Sequence, residues 1–173
     1  MNDEQARVRS YLQAQGAKLT PADIVEKVQQ AMRDLRGAAA LVPPDRFTQR
    51  PGPDDWSANE VLAHVIAAGR YFGGAIVALA AGAPLPARPA GRGNEAEPRP
   101  AEEWLELLEE DRSALFARVL TADPAGHLDG TVEHPFFGPL NWREALLFMR
   151  LHDPDHAGQL QKIAAAVATP RSA

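Results

Sequence analysis

Arg150-Leu151-His152-Asp153-Pro154-Asp155-His156-Ala157-Gly158-Gln159 is the stretch on which the reading of this chain turns. At about 100° per residue, positions i and i+4 share one helix face, so His152 and His156 fall on a stripe with Ala145, Phe148, Met149, Leu160 and Ile163. An imidazole inside an apolar stripe is costly to bury without a partner, and a metal ion is a partner that takes two at once. Pro154 is the complication. If it ends the helix, Asp153 and Pro154 read as the N-cap and first position of a separate final helix, and the shared face is lost.

Outward from that stretch the chain reads as all-α. The last helix opens at Asn141, an N-cap with Glu144 three residues on, and is expected to stop before Pro170. The first long helix opens at Thr20-Pro21-Ala22-Asp23, carries the stripe Val25, Val28, Met32, Leu35 and Ala39, and is stopped by Pro43-Pro44. Ser57 and Glu60 match a capping box, with Trp56 and Val61 as its hydrophobic staple, for a second helix running to about Ala81. A third spans Ala101 to Thr121, with Trp104, Leu107, Leu108, Leu115 and Val119 facing inward.

Four amphipathic helices of this width argue for a helix bundle. Residues 1–19 read as an N-terminal extension with a short amphipathic helix, and residues 20–169 as the bundle domain. Two long connections interrupt it. Residues 82–100 hold five prolines and three glycines, and residues 122–140 read as irregular, with no convincing strand pattern anywhere.

Composition narrows the function. A chain of 173 residues with a net charge of −5 has room for one well-buried core and shows no basic stripe, so nucleic acid is not an expected partner. No cysteine is present, which excludes disulfides, thiolate ligands and a cysteine nucleophile. The polar start Met1-Asn2-Asp3-Glu4-Gln5 does not read as a signal peptide, and Val61–Ala81, interrupted by His64, Arg70 and three glycines, reads as falling short of a membrane span. A cytoplasmic protein acting on a small molecule, with no membrane partner, is the expectation.

His64 is the second helix's histidine and sits at the margin of its inward face, beside Val61, Ala68 and Phe72. With His152 and His156 it gives three imidazoles on facing helices, the layout of an open zinc- or nickel-type site. The competing reading is a buried histidine bonded to a carbonyl, with His152 a helix-end cation. Glu60 is better explained by capping than as a general base. Gln159 reads equally as a group supporting a ligand or as a surface amide. His127 and His134 read as solvated loop histidines. No dinucleotide or phosphate loop, nucleophile elbow or His-Glu-x-x-His pattern occurs, nor the paired Glu-x-x-His of di-iron bundles.

Trp56-Ser57-x-x-Glu60-x-x-x-His64, His134-Pro135-x-Phe137-Gly138 and His152-Asp153-x-x-His156-x-x-Gln159, in this order, resemble the DinB-like superfamily of bacterial four-helix bundles over about residues 20–168. The resemblance implies an up-down-down-up bundle and a divalent metal, zinc or nickel, held by His64, His152 and His156. It further implies thiol S-transferases or isomerases that use a low-molecular-weight thiol such as bacillithiol or mycothiol, and a homodimer. Catalytic and cofactor-binding residues stay unassigned. Metal-dependent hydrolysis, and a non-catalytic bundle with structural histidines, are the alternatives.

Overall fold

The computed structural model describes residues 2–91 and 93–168. Five α-helices account for most of it: α1 Asp3–Lys18, α2 Pro21–Ala39, α3 Ala58–Ala80, α4 Ala101–Val119 and α5 Trp142–Ala168. The helix starts lie where cap chemistry puts them. Thr20 Oγ1 accepts from the Asp23 amide while the Asp23 carboxylate accepts from the Thr20 amide, and Ser57 with Glu60 and Asn141 with Glu144 repeat the arrangement. The expected stop at Pro170 lies outside the described residues.

Contacts along the helices fix their directions. Trp104 bonds Asn59, Asp111 bonds Arg70 and Leu115 lies against Gly73, so α4 runs parallel to α3. Arg36 meets Glu102 near the end of α2 and the start of α4, so that pair is antiparallel. His64 meets His156 while Phe72 meets Phe148, so α3 and α5 are antiparallel as well. The result is an all-α four-helix bundle, up-down-down-up, with residues 82–100 carrying the chain from the end of α3 back to the start of α4. The short extra helix α1 docks on α5 through Arg150–Tyr11 and buries Leu12 completely.

Two expectations need correction, and one open alternative is decided. Residues 122–140 contain a hairpin, β1 Val132–His134 and β2 Gly138–Leu140, paired Val132↔Leu140 and His134↔Gly138. Its alternation buries Val132 and His134 and leaves Glu133 exposed; at three residues a strand is too short for periodicity to reveal. Pro154 lies inside α5 and does not end it. The ring faces outward, where the lost N–H costs one hydrogen bond and no packing. Finally, α3 is by length and composition apolar enough to cross a membrane, with a mean hydropathy of 1.5, because single polar residues dilute a run of this length only slightly. In this fold that apolar surface packs against α4 and α5, and Val61, Val65, Ala75 and Ile76 are wholly buried.

Candidate metal centre

α3 contributes His64 from its second turn, and α5 contributes His152 and His156. The rings converge: centroids lie 5.6 Å apart for His64–His152, 5.0 Å for His64–His156 and 4.5 Å for His152–His156. One nitrogen from each lies within 4.8 Å of the other two. Nitrogens bound at ~2.1 Å to one tetrahedral ion are ~3.4 Å apart, close to the 3.2 Å that separates Nε2 of His152 from Nε2 of His156.

The other ring nitrogens show what the inner ones present. His156 Nδ1 lies 3.0 Å from Gln159 Oε1, and His152 Nδ1 lies 3.3 Å from Asp153 Oδ1. Both partners are acceptors, so each Nδ1 carries its proton and each Nε2 of the neutral ring a lone pair. The two Nε2 atoms lie 3.2 Å apart. At that separation the two nitrogens share a single proton or a single cation between them. Burial, then the neighbouring His152 charge, pushes His156 down to about 4, with Gln159 and Asp155 pulling the other way, so it is neutral at pH 7. The donor set therefore fits a divalent metal ion, and the hydrogen bonds behind it are those that orient metal-ligating histidines.

Asp153 is held in turn. It is fully buried, and Arg112 Nη2 from α4 reaches both its oxygens at 3.1 and 3.2 Å. Arg112 is itself 2% exposed and also donates to Met149 Sδ. A buried ion pair on α4 and α5 thus backs His152. Gln159, ambiguous in sequence, supports His156. Glu60 stands apart: burial pushes its carboxyl up, but hydrogen bonds from Arg50 and Ser57 hold it below the usual range, and it does not line the pocket. Trp56 does more than staple the helix, its ring lying 5.2 Å from that of His64.

The three histidines open into a cavity of 590 Å³, within the range of small-molecule sites. Its wall is aromatic, with Tyr71, Phe72, Phe136, Phe137 and Phe148 around the histidines. His134, read as solvated, is instead 6% exposed and forms part of that wall. It stacks on Phe137 at 4.7 Å and lies 4.3 Å from Phe148. Burial, then the charges of His152 and Arg88, pushes it down to about 4. The one signal in sequence was its place in a Pro-Phe-Phe-Gly run ahead of α5. His127 is exposed and away from the cavity, its ring lying over Gly82.

The family model of the DinB superfamily matches residues 27–160. No curated protein matches the chain. Three solved structures share its architecture. TT2238, described as a four-helix bundle protein, aligns with a TM-score of 0.63 at 23% identity over 83% of this chain and 99% of its own. YfiT from Bacillus subtilis, described as a probable metal-dependent hydrolase with an unusual four-helix bundle topology, aligns at 0.67 and 13% identity over 86% of this chain and 87% of its own. A mutant of the mycothiol-dependent maleylpyruvate isomerase aligns at 0.65 and 14% identity over 84% of this chain. The match spans 62% of that isomerase. At these identities the likeness establishes the fold.

Proposed function

The chain belongs to the DinB superfamily, and from that premise we propose that it is a divalent-metal-dependent enzyme with His64, His152 and His156 as the metal ligands. The observation that carries this reading is the convergence of three imidazoles from facing helices, with the Nε2 atoms of His152 and His156 3.2 Å apart, at the base of an aromatic cavity. Zinc or nickel suits a set of three neutral imidazoles with a further position open. Such an ion supplies a Lewis acid that favours the anionic form of a nucleophile at neutral pH.

The residues here do the rest. Gln159 and Asp153 hold the Nδ1 protons, so that both Nε2 atoms stay available. Phe72, Phe137 and Phe148 exclude water from one side of the cavity. The chain has no cysteine and so no thiol of its own, which supports a borrowed low-molecular-weight thiol, bacillithiol or mycothiol, as nucleophile and S-transfer to a small-molecule electrophile as the reaction. The structural likeness to a mycothiol-dependent isomerase supports the same class. Metal-dependent hydrolysis is the second reading, favoured by Asp155, an exposed carboxylate that lines the cavity together with the histidines. Either activity fits a bacterial cytoplasmic protein, with a homodimer the family-level expectation.

Metal analysis of protein purified without a histidine tag is the first test. About one equivalent of divalent metal is expected, falling by about tenfold or more in His64→Ala. Metal below about a tenth of an equivalent, unchanged by that substitution, overturns the reading. Conjugation of a chloro-nitroaromatic with a panel of thiols separates the two chemistries, since turnover without any thiol favours the hydrolase.

A further inference from the structure

Two cationic side chains border the cavity or the recess beside it, from segments outside the metal cluster. Arg88, on the proline-rich connection, lines the 590 Å³ cavity and also a recess of 430 Å³ that shares His134 and Phe136 with it. Its guanidinium lies 5.8 Å from the centre of the Tyr71 ring, a contact that holds it over the opening. Arg9, on α1, lines the same recess and rests against Gly138, whose missing side chain leaves it room: a Cβ there would lie 2.8 Å from Arg9 Nη1. Among the described residues no carboxylate pairs with Arg88 or Arg9; Glu133 borders the recess without forming an ion pair with either.

His134 completes the set. Its Nδ1 accepts from the Phe136 amide at 3.2 Å, so the neutral ring carries its proton on Nε2. That Nε2 has no hydrogen-bond partner among the described residues, yet it is not among the atoms sealed from solvent, so it opens into the space His134 lines. A neutral N–H donor and an unpaired guanidinium at one end of an aromatic slot are complementary to an anion with two acceptor oxygens.

We propose that Arg88 and His134 form an anion subsite, with Arg9 reinforcing its charge, that takes the carboxylate of a substrate whose planar apolar body lies against Phe72, Phe137 and Phe148. This names the substrate class of the site above and rests on that functional reading for its catalytic meaning. The binding itself is independent of any metal.

The test is an NMR titration of the full-length protein with benzoate, and with benzamide as its uncharged counterpart. Benzoate is expected to bind saturably and more tightly than benzamide. Arg88→Ala should weaken benzoate by about tenfold, with Arg88→Lys recovering part of the loss. His134→Phe should also weaken it, while His134→Gln, which keeps a donor near the Nε2 position, should hold it; unchanged near-UV circular dichroism shows that the variants are folded. Equal affinity for benzamide, indifference to Arg88→Ala, or no saturable benzoate binding overturns the proposal. Repeating the titration after dialysis against a chelator separates it from the metal reading. Arg88-dependent binding that survives chelation supports the subsite whether or not the protein held metal. Binding abolished by chelation and indifferent to Arg88→Ala puts the anion on the histidines and overturns the subsite.

Discussion

Between Gly82 and Pro100 the chain has five prolines and, among the described residues, no regular element and side chains exposed almost throughout; between Ala122 and Leu140 it folds back on itself and buries Val132, His134 and Leu140. The two connections are of similar length, and both border the cavity. Their difference comes from where backbone donors go. In the first, the prolines remove donors and favour extended backbone, so no ladder forms among the described residues. Among the described residues its two ends are tied in: the Gly82 and Ala83 amides donate to the Leu79 and Ala78 carbonyls, and Asn59 Oδ1 accepts from the Arg99 amide. In the second, Pro139 stands opposite exposed Glu133, so the missing donor faces outward and alternate residues remain free to enter the core. One connection makes a fixed wall. The other makes a rim that carries Arg88.

The sharpest way to break this contrast is to cut an apolar side chain from each. Leu140→Ala, at a fully buried position, should cost about 2–5 kcal/mol, whereas Leu85→Ala, at 41% exposure, should cost less than about 0.5 kcal/mol. Urea denaturation of both variants reads it, and equal costs would mean that the hairpin is no better packed than the rim.

Acid should separate the two segments next. Residues 82–100 hold no histidine, whereas the hairpin buries His134, whose value falls from 6.5 to about 4 on folding. The unfolded chain takes the proton first, so this contribution is whole above pH 6.5. It drains away as pH falls from 6.5 to about 4, by up to about 3 kcal/mol. Stability measured down that range in the wild type and in His134→Phe should differ in slope, and parallel curves would remove His134 from the buried wall.

The smallest effect concerns turns. Gly138 and Gly91 both have positive φ, 71° and 86°, but a Cβ at Gly138 meets Arg9 while at Gly91 nothing lies within 4 Å. Alanine should cost about 1 kcal/mol at Gly91 from backbone strain alone, and about twice that at Gly138, where Arg9 must also move. Identical melting shifts would show that Arg9 does not rest there.

Cap chemistry and a period of 3.6 residues are local, so Thr20, Ser57 and Asn141 announced their helices, and the spacing of His152 and His156 placed both on one face of α5. His64 could be put on the inner margin of a facing helix for the same reason. What those signals could not carry was which faces meet. Pro154 reads as a breaker in isolation, and it is tolerated because packing turns that side of α5 to solvent. Arg112 lies in an ordinary charged stretch of α4, and only its approach to Asp153, 41 positions away, makes it the support of His152. His134 looked like a loop residue because a three-residue strand has no readable period, and Arg88 drew no reading because nothing local says that a proline-rich segment returns over Tyr71. The sequence by itself determined the helices and put all three histidines of the cluster on inward faces, since both follow from interactions within a few residues. The tertiary structure decided the wall, the buried ion pair and the cationic rim, since each depends on contacts between segments that no local rule brings together.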